Sequence, residues 1–273
     1  MKRMYLRELR SSYKGLFGWI AGVLVLQLSG YSKFEGFQAA SSSDVSGSIN
    51  SISASFPKPL LALFGMYDLN ISTLIGYFGI LYLYFALIGA IHAALTGAGI
   101  ISKEERDKTS EFLLTKPISR SKVMTTKLLA GLTNVLILFL VIAISSVIGV
   151  AIVNNGDYSL TPQVINMMWG ILLMQLVFFS AGLMFAGLFK HPKLPGLAAT
   201  TVAVGCYIVY ALSLITDKLE WLRFMTPFRW FAAPSIIYAE SIGYGYAGLA
   251  ILISVTFGAL AYICYNRRDI TVA

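Results

Sequence analysis

The sequence predicts an all-α membrane protein with six transmembrane helices. Three observations carry that reading. Hydrophobic residues fill 57% of the 273 positions and charged residues only 12%, against about 25% charged in a soluble domain. Six apolar runs approach or exceed the length that a membrane helix needs. The basic residues gather in alternate connections between those runs. A water-soluble globule cannot hide so much apolar surface, so the composition excludes a soluble enzyme. The mean hydropathy of +0.73 excludes a disordered chain on the same ground.

The elements follow in order, within one membrane domain over residues 1–273. Residues 1–14 are expected to form an interfacial amphipathic helix. Arg3, Arg7 and Arg10 face lipid phosphates, and Met4, Tyr5 and Leu9 face the acyl chains. Span one, Leu16–Tyr31, is short, and Tyr13 and Lys14 extend it by snorkelling. Residues 1–28 resemble the first two regions of a signal peptide. Glu8 and the lack of a small-residue cleavage site argue for retention. Residues 32–70 read as an external loop. It is serine-rich over 32–55, is broken at Pro57 and Pro59, and carries an apolar stretch, Leu60–Met66, too short to span. Span two is Ile71–Ile101 and span three is Val123–Val153. Both exceed what a bilayer requires, so each tilts or projects. Spans four, five and six are Gln163–Phe189, Leu194–Ile215 and Gly245–Tyr265.

Charge sets the expected orientation. Sixteen Lys and Arg residues fall in the N-terminal segment, the 102–127 connection, the 190–193 turn and the tail. The remaining five are Lys33, Lys58, Lys218, Arg223 and Arg229. The excess side is cytoplasmic, which places both termini inside a cell membrane and requires an even number of spans. The net charge of +8 is explained by this asymmetry rather than by nucleic acid. Cys206 and Cys264 lie in apolar runs with no metal-ligand spacing.

Two connections carry more information. In the cytoplasmic segment 102–122, Ser102 and Glu105 form a capping box, which predicts a helix start. Glu104 and Lys108 make an i,i+4 pair. Pro117 ends the helix at Lys116 or earlier, and Ser119 caps the next one. The result is a short charged rod tipped by Phe112-Leu113-Leu114, which either docks on a partner or folds back on the bilayer. In the external segment 216–244, Trp221, Phe224, Phe228, Trp230 and Phe231 lie among the breakers Pro227 and Pro234. Two short helices are expected there. They serve as interfacial anchors or as an outer gate built on Trp221, Phe228 and Trp230. Gly18 and Gly22 make a GxxxG pair in span one, a candidate dimer face.

Residues Glu104-Glu105-Arg106-Asp107-Lys108-Thr109-Ser110-Glu111-Phe112-Leu113-Leu114-Thr115-Lys116-Pro117-Ile118-Ser119-Arg120, with Lys127 downstream, resemble the signature of ABC-2 type transporter permeases. Thr109, Glu111, Leu113, Leu114, Pro117, Ser119, Arg120 and Lys127 match that pattern. Lys108 departs from it, since many members carry glycine there, and implies a more continuous helix. The six-span layout and the aromatic segment before span six are similar as well. The resemblance implies an ATP-driven exporter in which two permease copies, identical or paralogous, line a path above two ATPase subunits. It also implies that residues 102–122 are the coupling helix, and that Glu104, Glu105, Arg106, Asp107, Lys108, Glu111, Phe112, Leu113, Leu114, Pro117 and Arg120 meet the ATPase.

The chain shows no chemistry of its own. Gly-Lys never occurs, so there is no P-loop, and HExxH and GxSxG are absent. No catalytic residue or metal ligand is expected. ATP and Mg2+ belong to the partner ATPase. Glu104-Glu105 superficially matches the glutamate pair of some intramembrane proteases, but Thr109 stands where they need arginine. With Lys127 counted to the 102–127 connection, the six spans contain no Asp, Glu, Lys or Arg. Ion-coupled carriers place such groups inside the membrane. Only His92 qualifies, and a lone histidine is expected to be hydrogen-bonded structure. Gln27, Asn134, Asn166 and Gln175 are expected to hydrogen-bond between helices. The expected cargo is amphipathic: a peptide, drug or lipid-like molecule. The alternatives are a secondary carrier that depends on His92 and a non-transporting immunity or sensor subunit.

Overall fold

A computed structural model of the chain describes residues 2–40, 56–106, 119–189, 191–215, 221–222, 224–239 and 241–267. They form nine helices and, among the described residues, no strand. In chain order these are α1 Lys2–Ala40, α2 Lys58–Leu63, α3 Leu74–Arg106, α4 Arg120–Val153, α5 Thr161–Leu188, α6 Leu194–Ile215, α7 Pro227–Trp230, α8 Ala233–Ala239 and α9 Tyr244–Arg267. Six of them, α1, α3, α4, α5, α6 and α9, are long and apolar enough to cross a membrane. The α-helix is the form that satisfies every backbone polar group within one segment, which hydrocarbon demands.

Helices α3 and α5 are the most buried of the six, and α9 is the least. Both helices bury small residues, and Ala94 and Ala98 of α3 lie against Gly182 of α5. Two glycines bring the backbones together. A Cβ on Gly97 would sit 2.1 Å from the Phe179 carbonyl oxygen, and one on Gly182 would sit 2.2 Å from that of Ala94. The contact is reciprocal: each glycine receives the other helix's main chain. Without a strong hydrophobic force between helices in lipid, such close approach supplies the attraction.

The other spans pack around this pair. Helix α6 lies on α3 and α5, α9 on α5, and α4 on both α3 and α5. Helix α1 packs chiefly along α4. Its buried positions Val23, Gln27, Tyr31 and Phe34 recur at helical spacing. Gln27 Nε2 donates to Ser146 Oγ at 2.9 Å, the interhelical bond expected of it. Tyr77 of α3 donates to the Gly30 carbonyl at 2.9 Å. Near the chain start, Tyr5 shares a hydrogen bond of 2.8 Å with Thr133, and Lys103 bonds Ser11. Tyr262 of α9 lies near Ser121 and Thr125 of α4. The start of α1, the ends of α3 and α9 and the start of α4 therefore share one end of the bundle, called the termini end below.

Three expectations change. Residues 2–14 are not a separate interfacial helix but the first turns of α1. Arg3, Arg7 and Arg10 are exposed, but Tyr5 faces Thr133 rather than lipid, because α4 extends far enough to offer it a partner. Span one is not short: helix continues through residues 32–40, which had been assigned to the external loop. The capping box does not start a helix. Ser102 is buried within α3, which runs on to Arg106. An N-cap needs a preceding break in the chain, and none occurs between Leu74 and Ser102.

The seam generates a prediction. Gly97→Leu and Gly182→Leu should each destabilise the chain by at least about 2 kcal/mol through forced separation of two backbones. Gly18→Leu, with nothing within 4 Å of its missing Cβ, should have little effect. Thermal unfolding in detergent measures both.

Candidate functional site

At the termini end, residues 107–118 connect α3 to α4. Asp107, Lys108, Glu111, Phe112, Leu113, Leu114 and Pro117 lie outside the described residues. Glu104, Glu105 and Arg106 form the last positions of α3, and Arg120 is the first of α4. Ser119 occupies the N-cap position with extended backbone (φ −64, ψ 142), but its side chain makes no capping bond.

The two helix ends are held by Lys127. Its side chain is only 2% exposed, and Nζ donates to the Ile100 carbonyl of α3 at 2.9 Å. Ile100 in turn fills the space over Gly131 of α4. Lys127 is thus a residue of the bundle rather than of the connection, so the spans do carry a charge, contrary to the expectation from sequence. A lysine within an apolar helix costs about 3 kcal/mol at the bilayer centre. Close to a helix end, with a carbonyl to receive it, that cost falls. The sequence does contain a signal: Lys127, Gly131 and Asn134 repeat at helical spacing on an otherwise apolar helix.

Beside the clamp, α1, α3 and α4 enclose a pocket of about 170 Å³, lined by Glu8, Ser11, Lys103, Lys127 and Asn134 among others. Asn134 is buried, and its Oδ1 has no partner. This departs from the interhelical bond expected of it. Gln175, on α5 opposite Gly89, departs likewise: neither polar atom of its amide is bonded. Arg7 and Glu8 approach to 3.7 Å, an ion pair open to solvent that adds little stability.

The opposite end is closed by α2, α7 and α8. Phe228 is 1% exposed. It meets Phe178 with a centroid distance of 5.7 Å and Tyr207 edge-on at 5.9 Å. Trp230 stacks on Tyr246 at 6.3 Å and donates Nε1–H to the Phe224 carbonyl at 3.1 Å. Thr226 bonds the Cys206 carbonyl at 2.8 Å, Tyr82 bonds the Phe231 carbonyl at 2.8 Å, and Tyr207 bonds the Leu63 carbonyl. Phe228 and Trp230 are therefore each buried against their own partners, whereas Trp221 is 63% exposed. Beneath them, Tyr82, Met174, Tyr210 and Phe228 line a void of about 10 Å³, near the minimum for a single water.

His92 is buried on α3. Trp19 meets it edge-on at 5.6 Å, and Thr96 Oγ1 lies 3.4 Å from Nε2. Neither neighbour carries charge. No group of three or more metal-ligating side chains occurs among the described residues. Gly18 and Gly22 face away from the bundle with nothing near them.

Six apolar helices around a glycine-opened seam, with polar groups gathered at the ends, define a multi-pass helical membrane protein. The chain belongs to the ABC-2 transporter family: residues 4–270 match the model for "ABC-2 family transporter protein". No individually curated protein matches it. It is a membrane permease component of an ABC transporter. Membership implies association with an ABC ATPase, and such permeases typically have no ATPase site of their own.

The aromatic closure is testable. Phe228→Ala should cost about 3 kcal/mol in thermal unfolding, because it leaves a buried cavity. Trp221→Ala should cost less than about 0.5 kcal/mol.

Proposed function

We propose that this chain is the membrane-spanning subunit of an ATP-driven exporter in the cell membrane, with the termini end cytoplasmic. Two permease copies, or this chain and a paralogue, form the path. Two ATPase subunits below them bind ATP and Mg2+ and carry out hydrolysis. The observation that carries the reading is the Lys127–Ile100 bond. It ties together the two helices that border residues 107–118, so a push on that connection moves α3 and α4 as a pair. Family membership and the sixteen basic residues that the sequence assigns to the termini and to the connections on their side support the same orientation.

In this reading Glu104–Arg106, Asp107, Lys108, Glu111, Phe112-Leu113-Leu114, Pro117 and Arg120 dock on the ATPase. Closure of the ATPase pair shifts the docked segment, and the bundle moves between two packings. Phe228 and Trp230 close the far end until cargo leaves. Gly18 and Gly22 on α1 and Gly205 on α6 leave outward faces with no neighbouring atoms, which suits close packing against a second copy. The cargo is an amphipathic molecule, with a peptide favoured over a drug or lipid-like compound.

Glu111→Lys, and serine in place of Phe112, Leu113 and Leu114, should each lower co-purification of the ATPase or its stimulated hydrolysis by at least about tenfold. If both measurements stay at the wild-type level, the docking assignment is wrong. An ion-coupled carrier would instead depend on His92. His92→Ala is expected to keep ATP-dependent flux in vesicles within about twofold of wild type.

A further inference from the structure

The middle of the α3–α5 seam holds a group that the packing leaves unsatisfied. Gln175 lies near the middle of α5 and is 0% exposed, and neither Nε2 nor Oε1 of its carboxamide has a hydrogen-bond partner. It rests against Gly89, near the middle of α3, where a Cβ would come within 2.7 Å of Nε2. Within one turn of Gln175, from Ile171 to Phe179, the other residues of α5 are all apolar. Within one turn of Gly89, α3 has one polar side chain, His92, and its imidazole lies against Trp19 and Thr96. The carboxamide therefore bears its full desolvation cost, sealed from water.

Two opposing tendencies meet in this seam. About two turns towards the termini end, the contacts of Gly97 and Gly182 draw the backbones together. On the other side of Gln175, Ala86 and Met174 line the void of about 10 Å³ beneath Phe228, so the packing there is already incomplete. Parting the helices at their middle gives the carboxamide water, which supplies the donors and acceptors that it lacks. Closing them regains the glycine contacts.

We propose that the seam is a two-state element: it parts at its middle to admit water, and the unpaired carboxamide of Gln175 sets the balance between the closed and the parted packing. This deepens the exporter reading, which needs two packings, by assigning the moving joint to α3 and α5. Its test uses neither the ATPase nor cargo, so it fails separately from the docking assignment, which co-purification decides.

Hydrogen exchange of the full chain in lipid nanodiscs, read by mass spectrometry, is that test. In the wild type, residues 86–96 of α3 and 172–182 of α5 should exchange at least about threefold faster than residues 135–142 in the middle of α4. Gln175→Met keeps the volume and removes the amide. It should slow exchange in the two seam segments at least about tenfold, equal to about 1.4 kcal/mol, and leave residues 135–142 within about twofold. It should also raise the melting temperature by at least about 2 °C. Gln175→Asn keeps the amide and should stay within about threefold of wild-type exchange. Seam segments that exchange no faster than α4 in the wild type would overturn the proposal. So would slowing in Gln175→Met that is absent or shared equally by α4, a melting temperature that does not rise, or an asparagine variant slowed as much as the methionine one.

Discussion

The close approach of α3 and α5 is the constraint on which the rest depends. In water, a helix pair gains from removing apolar surface from solvent. In a bilayer the surrounding tails are as apolar as the helices, so only tighter packing distinguishes a protein neighbour from lipid. Gly97 and Gly182 supply that tightness by admitting each other's main chain. Once the two helices are joined, their outer faces define where α4, α6 and α9 settle. Helix α1 packs chiefly on α4 and touches the seam pair directly through α3, at Tyr77, His92 and Lys103.

Polar groups then take on meaning from their depth. Gln27 Nε2 donates to Ser146 between α1 and α4, an ordinary interhelical bond, while its Oε1 has no partner. Lys127 is satisfied by a carbonyl of the neighbouring helix, so the same bond that lowers the cost of its burial also couples α3 to α4. Asn134 and Gln175 remain unsatisfied. In low dielectric an unpaired amide is expensive, which makes these positions the places where the packed bundle invites a further partner. The two ends differ in chemistry for the same reason. One holds lysine, glutamate and hydroxyls around a pocket, while the other is sealed by stacked aromatic rings.

Much of the fold was legible in the primary structure. Spans two to six follow from the apolar runs, and the family from the Thr109–Lys127 pattern. Errors clustered where a helix continued past an apparent signal. Ser102 looked like a cap because Glu105 follows it at the right spacing, but the helix had already been running for many turns. Residues 2–14 looked interfacial because arginines recur on one face, but the opposite face finds Thr133 and the wall of α3. In both cases local pattern competed with tertiary neighbours, and the neighbours won.

Composition and periodicity by themselves determined that this chain is a six-helix membrane bundle, because hydrocarbon admits only internally bonded helices of a set length. The glycine-rich character of the spans was visible too. Which glycines meet a backbone and which face lipid was decided only by packing: Gly97 and Gly18 are alike in sequence and opposite in role. The same holds for Lys127, whose charge belongs to a water-facing connection in one dimension and to a buried clamp in three. The physical reason is that sequence specifies what a residue requires, whereas the tertiary structure decides which neighbour meets the requirement.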